Sequence, residues 1–306
     1  MFCDLDMTEK QAVRIRRKIM TTKTMPEKTI KDEIRNKYGA IARTGGSCCG
    51  PASSCGSSPF SDASKKVGYS DDDLAAAPDR ANLGLGCGNP VAIASLRNGE
   101  TVLDLGSGGG FDAFLAAKKV SSTGKVIGVD MTPEMIERAR ANAKAGGYTN
   151  VEFRLGEIEA LPVDDNSIDV IISNCVINLA PDKGRVFTEA LRVLKPGGRF
   201  MVSDTVMTRP LPEAIQKSVA AYMGCVSGAL MKEEYLLRLR TAGFAKAEIV
   251  KDSRIDFASA IKDLGFQVDI EPAELAKIVA TLDTSIASIT VSAVKKDTSQ
   301  KNTRKN

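Results

Sequence analysis

The chain has 306 residues, of which 26% are charged, and its formal net charge is +4 at pH 7. This length allows one large domain or two, and the interspersed charges of both signs do not favour a nucleic-acid partner. No apolar run reaches the roughly 18 residues that a membrane span needs, and residues 1–6 do not resemble a signal peptide. We therefore expect a soluble, cytoplasmic protein.

Two residue counts narrow the possible chemistry. The chain has no histidine, which removes the usual general base near neutral pH and the commonest metal ligand. In a cytosol, cysteines should be mostly reduced, so thiol chemistry is favoured over permanent disulfides. The chain has seven cysteines: Cys3, Cys48, Cys49, Cys55, Cys87, Cys175 and Cys225.

The first predicted element is a helix from Pro26 to Tyr38. Pro26 suits the first turn of a helix, and Gly39 is expected to end it. Ile30, Ile34 and Tyr38 recur at i, i+4 and i+8, which gives this helix one apolar stripe.

A loop rich in Gly, Ser and Pro is predicted from Thr44 to Ser64. It carries Cys48, Cys49 and Cys55, whose spacing matches no zinc or iron–sulfur pattern. Either these thiols are incidental, or a mobile loop brings a thiol to a site elsewhere in the protein.

The next segment leads into the first strand. Asp71–Ala77 has the acidic first turn of a short helix. Residues 81–90 are rich in Gly and end in Pro, which predicts a rigid, irregular turn that presents Cys87. Val91–Leu96 then leads into the strand.

The centre of the chain is a buried strand followed by a glycine loop. Val102, Leu103 and Leu105 are the apolar run of a parallel strand, and Asp104 lies near its end. A helix is predicted at Phe111–Lys118, so its N–H groups would face the glycine loop. Three glycines occupy alternate positions of this loop: Gly106, Gly108 and Gly110.

Four more strands complete the predicted central region. Lys125–Asp130 ends in a carboxylate that suits a ribose diol. Thr132 and Pro133 begin a helix, and Val151–Leu155 alternates as a third strand. The fourth strand is Ile168–Val176, followed by a helix at Asp182–Leu194 and a fifth strand at Arg199–Asp204. Asn174 and Cys175 lie at the carboxyl end of the fourth strand, the edge where ligands bind in open α/β sheets.

The C-terminal third begins with a helix predicted at Leu211–Met231. It contains Cys225 among small and apolar residues, a setting in which a cysteine is by default a small hydrophobe. Four later elements are predicted: a helix that ends at residues 240–244, a strand at Ala245–Val250, a helix at Glu271–Leu282 and a final antiparallel edge strand at Ser285–Val294. The predicted divisions are an N-terminal extension (1–66), a nucleotide-binding half (67–205), a part that completes the sheet (206–296) and a disordered tail (297–306).

The glycine loop resembles motif I of the class I S-adenosylmethionine (SAM) methyltransferases. A dinucleotide-binding loop would carry a third glycine where this chain has Phe111. The resemblance implies an α/β, Rossmann-like fold with a mostly parallel seven-stranded sheet and helices on both faces. In that fold the turn at residues 156–162 wraps the adenine, so either Glu157 or Glu159 would meet the exocyclic amine and the Ile158 N–H a ring nitrogen; an ordinary surface turn is the alternative. The other implied SAM-binding residues are Asp104, Gly106, Gly108, Gly110, Asp130, Met131 and Asn174.

Three cysteine-containing stretches, Asn82–Pro90, Ser173–Leu179 and Gly224–Ala229, closely resemble the arsenite SAM methyltransferases. This resemblance runs from about Tyr38 to Val294. It implies that Cys175 and Cys225 bind trivalent arsenic, that Cys87 is a third thiol ligand and that Cys48 or Cys49 supplies a fourth thiol. The implied substrates are arsenite and methylated arsenicals, and the implied role is arsenic detoxification.

The chemistry of arsenic agrees with this interpretation. Trivalent arsenic is a soft centre that prefers thiolates, and its lone pair can attack a sulfonium methyl group without a general base. The reaction oxidises arsenic by two electrons, which a cysteine pair can return by forming a disulfide. A thiol reductant of the thioredoxin or glutathione type would then be needed.

Two other functions are compatible with parts of the sequence. A methyltransferase acting on a quinone, a sterol or a similar small molecule explains the glycine loop but not Cys87, Cys175 and Cys225. A non-catalytic thiol module that sequesters a soft metal explains the cysteines but not the SAM site.

Overall fold

The computed structural model describes residues 26–44, 59–78, 80–255 and 272–297. Eight strands within these residues form one sheet. They are β1 (Thr101–Leu105), β2 (Lys125–Asp130), β3 (Val151–Leu155), β4 (Ile168–Asn174), β5 (Leu194–Met207), β6 (Leu230–Met231), β7 (Phe244–Arg254) and β8 (Ile286–Lys295). The order across the sheet is β3-β2-β1-β4-β5-β8-β7, and β6 pairs with β5 beside this row.

Helices flank this sheet. They are α1 (Glu27–Thr44), α2 (Pro59–Lys66), α3 (Asp71–Ala76), α4 (Pro90–Ile93), α5 (Phe111–Val120), α6 (Pro133–Ala145), α7 (Lys183–Val193), α8 (Glu213–Gln216), α9 (Val219–Met223), α10 (Lys232–Ala242) and α11 (Pro272–Ser285), with a short 3-10 helix at Ile177–Leu179. No helix in the described part of the chain is both long enough and apolar enough to span a bilayer.

The sheet is parallel from β3 to β5, and β8 runs antiparallel to both β5 and β7. Successive residues of β1 alternate between two cores. Val102 packs with α5 and α6 on one face, whereas Leu103 packs on the other face with α7 and α10. The predicted α/β fold with helices on both faces of a mostly parallel sheet is therefore confirmed. The two-residue β6 is the addition to the seven predicted strands.

Helix α1 is longer than the sequence predicted. Gly39 was expected to end it, but the helix continues to Thr44. Ile41 and Ala42 explain the extension because both are buried, in a cluster with Leu83. Burial of this last turn therefore outweighs the low helix propensity of one glycine.

Two predictions for the C-terminal third are wrong. Residues 211–231 form two short helices, a turn around Cys225 and strand β6 instead of one helix. Strand β8 is not at the edge of the sheet, because β7 pairs with its outer side. Strand β7 is the edge strand although it precedes β8 in the chain. The order of strands across a sheet is not encoded in a linear pattern of apolar residues.

The predicted loop at residues 44–64 and the predicted tail at residues 297–306 are only partly described by the structure, and the end of the loop differs from the prediction. The end of the predicted 44–64 loop is helical, since α2 begins at Pro59. Residues 45–58, and 298–306 of the predicted tail, lie outside the described residues.

Candidate active site

A cleft that is partly open to solvent lies at the carboxyl ends of the parallel strands. The loop after β1, the end of β2, the turn after β3 and the end of β4 form its floor and walls. Helix α1 covers it with Lys31, Ile34 and Tyr38. The apolar stripe in the sequence predicted the buried face of α1, but not that this face covers a ligand site.

The glycine loop brings its backbone into close contact with the segment that follows β4. Gly106 has φ +68°, and a Cβ there would lie 2.1 Å from Val176 Cγ2. Only glycine fits this position. Gly106 and Gly108 both line the cleft, whereas Gly110 turns toward Phe114 and occupies the N-cap of α5.

Two buried polar atoms beside this loop have no hydrogen-bond partner among the described residues: Asp104 Oδ2 and Ser107 Oγ. Both residues line the cleft. Burial, together with nearby Asp112 and Asp130, raises the pKa of Asp104 well above its usual range. Buried polar groups are normally paired, so these atoms fit a polar ligand such as the methionine part of SAM.

Asp130 ends β2 at the wall of the cleft. Its Oδ2 accepts the Gly108 N–H at 3.0 Å, and its Oδ1 accepts the Thr132 N–H at 2.9 Å. Each carboxylate oxygen has a second lone pair, so the carboxylate is held in place and can still accept hydrogen bonds from a diol. Met131, the next residue, also lines the cleft.

The two glutamates of the turn after β3 have different surroundings. Glu157 is paired with Lys31 Nζ at 2.8 Å and with Arg35. Glu159 is buried and lines the cleft together with Ile158. Glu159 Oε1 forms an ion pair with Lys31 Nζ at 3.1 Å but accepts no hydrogen bond from the described residues. Of the two acids, Glu159 is therefore the one that faces the cleft.

Cys87, Cys175 and Cys225 come together beside the cleft, from three separate segments of the chain. The Cys87 and Cys175 sulfur atoms and an Asp204 carboxylate oxygen lie within 4.8 Å of one another. Cys225 Sγ lies 3.0 Å from the backbone oxygen of Cys175. Cys175 also lines the cleft, so it belongs both to the cleft and to the cluster of three thiols.

The thiol cluster favours one negative charge, on Cys175. Hydrogen bonding by the Cys225 and Cys87 thiols lowers the pKa of Cys175 well below its usual range. Burial and then the neighbouring Cys175 raise the pKa of Cys87, whereas hydrogen bonding with Cys175 and then burial raise the pKa of Cys225. The cluster can therefore supply one thiolate nucleophile with two protonated thiols beside it.

Asp204 is a site residue that sequence reasoning did not assign. It is the last residue of the predicted fifth strand. Its position at the carboxyl end of a parallel strand, where ligands bind, could have identified it from the sequence. Its Oδ1 accepts hydrogen bonds from Asn178 Nδ2 at 2.8 Å and from the Thr205 N–H at 3.0 Å. Burial and the Cys175 charge raise the pKa of Asp204 well above its usual range.

Cys48 and Cys49, predicted to supply a fourth thiol, lie outside the described residues.

This fold and cleft define a class I SAM-dependent methyltransferase, and the methyltransferase domain family matches residues 96–243. An arsenite methyltransferase of Halobacterium salinarum is 49% identical over 252 residues, which are 78% of this chain and 64% of that protein. The crystal structure of an arsenic(III) SAM methyltransferase from Chlamydomonas reinhardtii has 34% identity and a TM-score of 0.58, over 79% of this chain and 75% of that chain. The chain belongs to the arsenite SAM methyltransferase family.

A second relative, an arsenite methyltransferase of Aquipseudomonas alcaligenes, is 41% identical over 182 residues, or 57% of this chain. The chain covers 64% of the Halobacterium protein and 52% of the Aquipseudomonas protein.

Proposed function

We propose that this protein transfers methyl groups from SAM to thiolate-bound trivalent arsenic, converting arsenite to methylated arsenicals. The observation that carries the proposal is the convergence of Cys87, Cys175 and Cys225 beside the cleft, with Cys175 in its wall. Methylation of a quinone or a sterol would not require three thiols at this position. A non-catalytic thiol module would not require the cleft.

The thiols would bind arsenite by exchange of ligands. Each thiol displaces one arsenic-bound hydroxyl as water. Cys87 and Cys225 would pass their own thiol protons to the departing hydroxyls, whereas the hydroxyl displaced by the Cys175 thiolate would take its proton from solvent, so no external base is needed. The Cys175 thiolate is the strongest nucleophile of the three and would react first. Arsenic bound to thiolates keeps its lone pair, and Cys175 would hold it against the cleft.

The cleft residues would hold SAM, which supplies an electrophilic methyl group. Asp130 would bind the ribose hydroxyls, Glu159 and the Ile158 N–H the adenine, and Asp104 with Ser107 the polar methionine end. Helix α1 would exclude water from above through Ile34 and Tyr38. Positioning is then the main contribution of the chain to catalysis.

Methylation removes two electrons from arsenic, and two thiols can return them by forming a disulfide and releasing two protons. We assign this role to Cys87 with Cys48 or Cys49. An external thiol reductant of the thioredoxin or glutathione type would restore the thiols. A reducing compartment such as the cytoplasm suits this cycle.

The test is SAM consumption by the purified chain with thiol reductant present. We expect consumption only when arsenite is added, with methylated arsenicals as products. Consumption with a quinone but not with arsenite would contradict the proposal. Arsenite binding without any SAM consumption would instead favour the non-catalytic thiol module.

A further inference from the structure

The side-chain amide of Asn174 is fully occupied by contacts within the protein. Its Oδ1 accepts the N–H groups of Cys87 at 2.9 Å and Gly88 at 3.2 Å. Its Nδ2 donates to the Gly88 oxygen at 2.8 Å, the Tyr69 hydroxyl at 2.8 Å and Asp112 Oδ2 at 3.1 Å. An amide offers two lone pairs and two hydrogens, so no capacity remains for a ligand unless one of these bonds breaks.

The turn that carries Cys87 is shaped to receive this amide. A Cβ at Gly86 would lie 2.5 Å from Asn174 Nδ2, and a Cβ at Gly88 would lie 2.6 Å from Ser203 Cβ. Glycine on both sides of Cys87 therefore lets the turn lie this close to Asn174 through Gly86 and to Ser203 of β5 through Gly88. Ser288 Oγ donates to the Cys87 oxygen at 2.7 Å, so both backbone polar groups of Cys87 are held by side chains.

Asn174 also carries the second thiol through its backbone, because Cys175 is the next residue. The Cys175 N–H donates to the Ser203 oxygen at 2.8 Å, which anchors it to β5. Asn174 thus sets the position of Cys87 relative to Cys175. Its side chain binds the backbone of Cys87, and its peptide bond leads to Cys175.

We propose that Asn174 is a positioning residue that holds the Cys87 thiol where it can share one arsenic atom with Cys175. The sequence predicted Asn174 as a SAM contact, and the occupied amide argues for this other role. The inference rests on the proposed arsenic chemistry, and its test separates the two.

The test compares two trivalent arsenicals that need different numbers of thiols. Arsenite can bond to three thiols, whereas phenylarsine oxide can bond to only two, for which Cys175 and Cys225 suffice. We expect Asn174→Ala to weaken arsenite binding about 10- to 100-fold, as is typical when the support of a ligand is removed. Phenylarsine oxide affinity should change less than about twofold.

A double-mutant cycle shows whether Asn174 acts through Cys87. In a Cys87→Ser background, Asn174→Ala should change arsenite affinity by less than about twofold, because the thiol it positions is absent. The matched control is Asn150→Ala, whose amide bonds to the Ala117 and Ser121 oxygens near the start of β3, away from the cleft. That variant should bind both arsenicals like the wild type.

Three results would overturn the positioning role: equal weakening of both arsenicals by Asn174→Ala, the same loss in both backgrounds, or a loss of SAM affinity larger than that of arsenite. If Asn174→Ala does not fold, Asn174→Asp replaces it. This variant keeps both N–H contacts but points an oxygen at the Gly88 oxygen, and should again weaken arsenite selectively. Failure of the wild type to bind arsenite would instead contradict the proposed function.

Discussion

Replacing Lys31 with methionine should loosen the helix that covers the cleft. Lys31 is only 7% exposed and lies 2.9 Å from Glu27, 2.8 Å from Glu157 and 3.1 Å from Glu159. Burial alone would lower the pKa of Lys31, but its hydrogen bond to Glu157 and its ion pairs with Glu27 and Glu159 raise that pKa overall. Lys31 is therefore charged, and it is the cation that neutralises the buried end of the turn after β3.

The magnitude follows from which partners are buried. Glu159 is 4% exposed, so removing Lys31 leaves a buried carboxylate without its cation, at a cost of about 3 kcal/mol in free energy of unfolding. Glu157 keeps Arg35 and is partly exposed, as is Glu27, so each of these pairs adds at most about 1 kcal/mol. A loss of about 3 kcal/mol lowers Tm by about 5 °C in a chain of this size.

Thermal and denaturant unfolding of Lys31→Met, with and without SAM, measures this loss. Lys31→Met/Glu159→Gln should recover most of the stability, because both buried charges are gone. Arg35→Met is the matched control: its side chain is 32% exposed, and we expect a loss below about 1 kcal/mol. A loss below about 1 kcal/mol for Lys31→Met, or no recovery in the double variant, would show that water solvates Glu159 and would refute this reasoning.

Asp130→Ala should weaken SAM binding by about 2–3 kcal/mol, because a charged hydrogen-bond partner of the ribose would be lost; near-wild-type affinity by calorimetry would contradict the ribose assignment. Cys175→Ser and Cys225→Ser should each abolish arsenite methylation and leave SAM affinity nearly unchanged, since serine does not replace a soft thiolate; normal turnover by either variant would show that its thiol is dispensable. Cys48→Ser/Cys49→Ser should keep SAM and arsenite binding but lose turnover, and disulfide mapping by mass spectrometry after one turnover of the unmodified chain should find one of these two cysteines joined to Cys87.

The central sheet could be predicted because its information is local. Apolar runs such as Val126–Val129 and Ile168–Ile172 form buried parallel strands, and the bounds predicted for Lys125–Asp130 and Val151–Leu155 match the structure. Parallel strands place their carboxyl ends at one edge, so Asp130 and Cys175 could be expected at the same cleft.

What the sequence did not reveal depends on contacts between distant segments. Lys31 and Glu159 are 128 positions apart, and nothing in either local pattern indicates that they pair. The sequence predicts a helix through the Cys225 segment, but the structure has a turn there. This turn is stabilised by packing of Tyr222 and Cys225 against Ile34 of α1, which is a tertiary effect.

Two of the three clustered cysteines have a strained backbone, and one of them lies in the Cys225 turn that the sequence did not predict. This strain bears on function. Cys175 has φ +60° and Cys225 has φ +59°, a left-handed conformation that costs a residue with a side chain about 1–2 kcal/mol. Glycine would remove that cost, but it would also remove the thiol. Hydrogen bonds from the Cys175 N–H to the Ser203 oxygen and from the Cys225 N–H to the Tyr222 oxygen hold both residues in place. Backbone strain of this kind is expected to persist where the side chain itself is needed, although glycine would be more stable there. Here the side chains bring the thiols of two distant segments to one point.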